Sequence, residues 1–188
     1  GDMNPYILTY TGRHFNFTDP REIDIVDIAH ALANLCRFTG HTRTFCSVAQ
    51  HSVAVSRLVP REHALAGLMH DASEAYLGDV SMPLKPLLPG YREIEARVHQ
   101  AIFEHFGIDP VLPPEVKRAD MKMLATERLR LMPDDPTPWP CLEGIEPLSG
   151  DGEFWGPQRA EVEFLSRFSV LLRQRDERAL TPSDKMPY

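Results

Sequence analysis

Histidine and aspartate stand side by side once in this chain, at His70-Asp71 in the run Leu68-Met69-His70-Asp71-Ala72-Ser73-Glu74. Neighbouring residues of a helix project about 100° apart, so the pair can share one cation only if other segments complete its shell. Two segments offer the pieces: Gln50-His51-Ser52 upstream and Lys117-Arg118-Ala119-Asp120 downstream. His51, His70, Asp71 and Asp120 together form a mixed nitrogen and oxygen set. Such a set suits one divalent transition metal (Co, Mn, Fe or Zn), while two imidazoles count against Mg. A cation held with open positions activates water near neutral pH for attack on phosphorus. A lone histidine on an apolar stripe is ordinarily a hydrogen-bonded core residue. Carboxylates leaning inward beside it are different, because away from water they require a cation or donors.

The elements that must position these groups are mostly helical. Tyr6-Ile7-Leu8-Thr9-Tyr10 and His14-Phe15-Asn16-Phe17 read as a small β-hairpin around Gly12, from their aromatic and β-branched content. Ile25, Ile28, Ala29, Leu32 and Leu35 follow helical spacing, with Asp24 or Asp19 as cap and Thr39-Gly40 as the stop. Val48, His51, Val55 and Leu58 share a stripe of the next helix, Ser47 to Leu58. Pro60 ends it and opens another at Arg61, with Leu65, Ala66, Met69, His70 and Ser73 inward and Glu74 one turn after His70. The prolines between Gly78 and Pro86 force a loop at the end of that helix. Helices follow at Tyr91 to Phe106 and from Pro113-Pro114-Glu115 to about Met132. Residues 133–157 hold six prolines and four glycines and read as a long ordered loop, a candidate lid. A last amphipathic helix lies within 158–178, clearest from Ala160 to Arg173, with 179–188 a frayed tail. The expected fold class is all-α with a minor hairpin, in a single domain over 1–188 whose metal-site core is 6–132.

Composition fits a single soluble globular domain: 188 residues, 43% hydrophobic and 25% charged. A net charge of −7 argues against a nucleic-acid partner. Sixteen arginines against four lysines suit bidentate phosphate contacts, a bias that genome composition also produces. Cys36, Cys46 and Cys141 have no Cys-x-x-Cys spacing, and so sparse and odd a set points to a reducing, cytoplasmic setting. No apolar run approaches membrane-spanning length and no signal segment opens the chain, so no membrane association is expected. Gly1-Asp2 ahead of Met3 reads as an expression scar.

His51, then His70-Asp71, then a distant Asp120, all on helices, resembles the H…HD…D signature of the HD-domain metal-dependent phosphohydrolases. The blocks Val48-Ala49-Gln50-His51-Ser52, His70-Asp71-Ala72-Ser73-Glu74, Gly78-Asp79 and Val116-Lys117-Arg118-Ala119-Asp120 are similar to the branch containing bacterial 5'-deoxynucleotidases. They are similar also to phage dATP triphosphohydrolases. The resemblance covers most of residues 6 to 132 and implies an HD-type helical bundle with His51, His70, Asp71 and Asp120 as metal ligands. It places the catalytic carboxylate pair at Glu74 and Asp79. Glu74 would accept a proton from water or orient it, and Asp79 would hold a second water or protonate the leaving oxygen. It also assigns a phosphate-side arginine at or near Arg37. Arg43, in the link before the His51 helix, is a second choice, and Lys85 matches a lysine of the phage enzymes. Where the relatives commonly carry Pro-Thr-Pro after Gly-Asp-x, this chain has Ser81-Met82-Pro83, a change that touches substrate detail and leaves the metal set intact.

The implied function is hydrolysis of a nucleoside 5'-monophosphate or triphosphate, with a small-molecule nucleotide as partner and a homodimer as the implied assembly. Lys85, as an extra cation, favours the longer polyphosphate. Two alternatives belong to other classes. A di-iron HD-fold oxygenase needs further histidine ligands, but His99 and His105 point about 120° apart on one helix. A catalytically silent nucleotide-binding module leaves Glu74 and Asp79 without a purpose.

Overall fold

A computed structural model of the chain describes residues 4–180. The hairpin forms from β1 (Tyr6–Leu8) and β2 (His14–Asn16), antiparallel, with Ile7 opposite Phe15. Phe15 is fully buried and stacks on Tyr76 at a centroid distance of 3.7 Å, which fixes the hairpin to the helices. Thr11 adds two hydrogen bonds, its N–H and hydroxyl donating to the buried Asp27 carboxylate at 2.7 and 2.9 Å.

Helix α1 (Ile25–Asn34) is capped by Asp24, whose carboxylate accepts the Val26 N–H at 2.7 Å. It stops earlier than Thr39-Gly40, where the spacing placed its end. The reason is long-range: Cys36 forms an isolated antiparallel bridge with Ser47, Arg37 N–H donates to the Cys46 carbonyl, and Val48 N–H donates to that of Leu35. Those backbone groups are taken before the helix can use them. Arg37 therefore sits in a short 3-10 turn, Arg37–Gly40, in which Phe38 and Thr39 adopt left-handed φ values of 53° and 55°.

Helix α2 (Val48–Leu58) begins where Ser47 Oγ accepts the Gln50 N–H at 3.0 Å. Ser47→Ala should therefore lower stability by about 1 kcal/mol in urea unfolding, the usual effect of losing such a cap. The helix expected from Arg61 through Ser73 is divided. A 3-10 turn over Arg61–His63 leads into α3 (Ala64–Met69), and α4 (Glu74–Leu77) follows after four residues. Across that junction the bonds run from residue i to i−3: Ala72 N–H to Met69, Glu74 to Asp71, Ala75 to Ala72. The chain thus tightens from α to 3-10 geometry at the His-Asp pair itself.

The remaining helices are α5 (Tyr91–His105), α6 (Pro114–Leu131) and α7 (Pro157–Ala179). The last is longer than its apolar spacing indicated, and residues 181–188 of the expected tail lie outside the described residues. Ala160, Phe164, Phe168 and Leu171 form its buried stripe, which packs against α1, α2 and α3. Around it lie Ile28, Leu32, Val53, Leu68, Ile102 and Phe103 in the main core. A smaller cluster of Val55, Ala66, Val116, Ala119 and Met123 joins α2 and α3 to α6. Gly67 permits the close approach of α3 to α2: a Cβ there would meet Val59 Cγ2 at 3.3 Å and Ser56 Cα at 3.4 Å.

The proline-rich segment is clasped to the outer faces of α6 and α2. Arg128 Nη2 donates to the Thr137 carbonyl at 2.6 Å and Arg130 Nε to that of Gly150 at 2.9 Å. Thr126 Oγ1 accepts from Leu148 N–H at 2.9 Å, and Gln50 holds both the Glu153 carbonyl and the Trp155 N–H. These bonds account for its order despite having only one short 3-10 turn, Pro140–Leu142.

Candidate metal centre

Three helical segments deliver the four expected ligands to one point. His51 comes from the buried side of α2, His70 and Asp71 from the tightened turn after α3, and Asp120 from the second turn of α6. One ligand atom from each lies within 4.8 Å of all the others. His51 Nε2 is 2.9 Å from Asp120 Oδ1 and 3.6 Å from Asp71 Oδ2, while His70 Nε2 is 2.9 Å from Asp71 Oδ2 and 3.5 Å from Asp120 Oδ1. Atoms each about 2.1 Å from one ion stand roughly 3.0–3.4 Å apart, so a first-row divalent cation fits with small adjustment.

The opposite ring nitrogens fix the tautomers. His70 Nδ1 donates to the Gly67 carbonyl at 2.7 Å, one of the acceptors left open at the end of α3. His51 Nδ1 donates to Glu127 Oε2, also at 2.7 Å. Both Nε2 atoms are thereby directed at the carboxylates, and His70 Nε2 is buried with no hydrogen-bond partner. A buried nitrogen lone pair with nothing to accept is what a cation would satisfy.

Without a cation the cluster holds itself by charge. Burial opposes a charged His70, but Asp71 and Asp120 outweigh it and hold its pKa well above the usual histidine value. Burial likewise opposes ionisation of Asp120, and His51 and His70 outweigh it, holding that carboxyl below its usual range. Metal binding must therefore displace protons from the imidazoles.

Glu127 was not singled out by the sequence reading. It is 2% exposed, accepts from His51, and accepts from Arg37 Nε at 2.8 Å. Burial disfavours its charge, while His51 and Arg37 favour it more and lower its pKa. It lies seven residues after Asp120, two turns along the same face of α6, and that spacing was the available signal. A cavity of about 210 Å³ borders His51 and Glu127 on this outer side, lined by Leu58, Met123, Leu148 and Phe154 among others.

The structure brings the carboxyl pair to the centre as well. Glu74 is 8% exposed and lies one 3-10 turn after Asp71, its N–H donating to the Asp71 carbonyl at 3.0 Å. Burial, then Asp71 and the adjacent Asp79, raise its pKa well above the carboxylate range. Glu74 Oε2 has no hydrogen-bond partner. Gly78 turns the chain that brings Asp79 back, with φ 83° and ψ 168°, a combination open to glycine alone.

The three expected phosphate cations are placed differently from one another. Arg37 reaches the centre, its side chain 12% exposed, with Nε committed to Glu127. Asp71 and Asp120 also stabilise its charge. Arg43 is exposed, tied in only by its backbone N–H to the Leu131 carbonyl at 2.9 Å. Lys85 Nζ is paired with Glu95 Oε2 at 2.8 Å. His99 Nε2 bonds the Pro110 carbonyl at 2.8 Å and His105 is exposed, so neither extends the ligand set toward a two-iron site. Burial pushes the Cys46 thiol up to about 12, which leaves it protonated. Among the described residues no helix is long and apolar enough to cross a membrane.

This is a mainly helical protein carrying a His/Asp cluster able to hold a metal ion. No family model matches the sequence. It is 51% identical over 173 residues to the uncharacterized protein YfdR of Escherichia coli K12, an alignment spanning 90% of this chain and 97% of that one. The chain belongs to the same family as YfdR. It is also 40% identical over 121 residues to the uncharacterized protein RCAP_rcc00048 of Rhodobacter capsulatus, across 58% of this chain and 62% of that relative.

Proposed function

We propose that this protein is an HD-domain metal-dependent phosphohydrolase acting on a nucleotide, and that its substrate is a nucleoside 5'-monophosphate. The observation that carries the reading is the convergence of four ligand atoms within 4.8 Å of one another, with Glu74 buried where the charges of Asp71 and Asp79 act on it. His51, His70, Asp71 and Asp120 would hold one divalent cation. When bound, the cation supplies Lewis acidity that polarises a phosphoryl oxygen and makes water easier to deprotonate.

The chain's own groups do the rest. Glu74, buried beside Asp71, takes the proton of the attacking water. Asp79, adjacent to Glu74, relays that proton to the leaving oxygen. Arg37 is buried and positive beside Asp71 and Asp120, and it stabilises charge developing on the phosphoryl oxygens while anchoring Glu127. The Lys85 pairing with Glu95 commits the one extra cation that favoured a longer polyphosphate, which is why the monophosphate is preferred here.

The test is a phosphate-release screen over nucleoside mono-, di- and triphosphates with Mn, Co, Fe, Zn and Mg. Release from monophosphates with a transition metal is expected. Absence of release from every nucleotide with every metal ends this reading. Glu74→Ala should keep the metal and slow turnover by about 100- to 10,000-fold, the usual worth of a positioned proton acceptor. Normal turnover in that variant removes Glu74 from the mechanism.

A further inference from the structure

The turn that follows Arg37 is strained at two successive residues. The bulky Phe38 and the β-branched Thr39 adopt left-handed angles, φ 53° with ψ 37° and φ 55° with ψ 29°, which such side chains seldom accept. Conformations of this kind persist only where the surroundings impose them, and they gather at functional sites. Here the Cys36–Ser47 bridge closes the base of the turn, and Arg37 N–H donates to the Cys46 carbonyl at 2.8 Å. Arg43 N–H ties the far side to the Leu131 carbonyl at the end of α6. The turn lays the Phe38 ring against its own neighbour: Arg37 Cζ is 5.3 Å from the ring centroid, within cation–π range. On its other side the Phe38 ring meets that of Trp139 at a centroid distance of 6.2 Å. Arg128 Cζ lies 4.2 Å from the Trp139 centroid, and its Nη2 is fixed by the Thr137 carbonyl at 2.6 Å. Cations and rings thus alternate outward from the His/Asp cluster: Arg37, Phe38, Trp139, Arg128.

We propose that Phe38 and Trp139 are positioning residues for Arg37, the left-handed turn setting the Phe38 ring against the guanidinium and the proline-rich loop bracing that ring through Trp139. Glu127 takes the Arg37 Nε–H at 2.8 Å, and that bond by itself leaves the guanidinium plane free to turn about it. The ring removes this freedom and leaves the terminal nitrogens for a phosphoryl group. The loop over 133–157 then serves the site as a fixed brace, which gives its clasping to α6 a purpose. The kinetic consequence rests on the phosphohydrolase reading, whereas the bracing of Arg37 does not.

The test compares Phe38→Leu and Trp139→Leu with the wild type in two measurements. The first is solvent exchange of the Arg37 Nε–H proton by NMR of the metal-free protein, its signal assigned by its loss in Arg37→Lys. Exchange should quicken about tenfold in Phe38→Leu, the scale of a partly desolvated cation–π contact, and by a smaller factor in Trp139→Leu. The Arg167 Nε–H, bonded to Ser56 Oγ at 3.0 Å on a different face, is the internal reference and should not change. The second is phosphate release from a nucleoside monophosphate, in which Phe38→Leu should lower kcat about tenfold with KM and metal content unchanged. In an Arg37→Lys background neither ring substitution should lower kcat further. Unaltered Arg37 exchange in both variants overturns the brace, and so does equal acceleration at Arg167, which would mean general loosening. Selective acceleration with a wild-type kcat overturns the positioning role in turnover. A wild type that releases no phosphate ends the phosphohydrolase reading and leaves the exchange measurement to decide the brace.

Discussion

Asp71→Ala should abolish both metal retention and phosphate release while the protein stays folded. Asp71 would be the ligand on which the centre turns: its Oδ2 is 2.9 Å from His70 Nε2 and 3.6 Å from His51 Nε2. With it gone, two histidines and Asp120 remain, and the cation also loses one of its two balancing negative charges. The expected result is read by elemental analysis after dialysis and by thermal unfolding with and without Mn or Co. A ligand at a hundred times its dissociation constant stabilises the native state by about 2.7 kcal/mol, so the wild type should gain several degrees and the variant none. Equal metal-induced stabilisation of both proteins would place the ion elsewhere.

Glu127→Ala should harm the protein in two separable ways. It removes the acceptor that orients His51, and outer partners of this kind are worth about 10- to 100-fold in metal affinity. It also strands Arg37, whose buried guanidinium then lacks the carboxylate at 2.8 Å. Breaking a buried pair from one side costs roughly 3–5 kcal/mol. Urea unfolding of the metal-free protein isolates the second effect, and metal titration of the folded variant isolates the first. Glu127→Gln keeps an acceptor for both neighbours and should recover most of the metal affinity. A Glu127→Ala protein of wild-type stability would mean that Arg37 finds another partner.

The His/Asp cluster was legible because residue type carried it: His51, His70, Asp71 and Asp120 are polar groups on faces otherwise made of Val48, Val55, Met69 and Ala119. Glu127 had the same signature between Met123 and Leu131, but no motif pointed to it, and a glutamate on a long charged helix reads as a solvated one. The early end of α1 was not legible at all. It depends on Cys36 meeting Ser47 across eleven residues, a pairing that no local spacing encodes. The tightening at His70 was hidden for a related reason, since the difference between i−4 and i−3 bonding over four residues is decided by packing and not by propensity. The length of α7 exceeded its apolar stripe because its last turns are polar and rest on helix-forming residues such as Arg175, Glu177 and Arg178.

That tightened turn would make the proposed coordination and the proposed proton transfer two ends of one lever. Ala72 lies between Asp71 and the Ser73-Glu74 step and is 1% exposed, packed in the main core. Adding a single residue between 70 and 74 would swing the acid by about a third of a revolution relative to the His/Asp cluster. Neither function could then drift in evolution without dragging the other along.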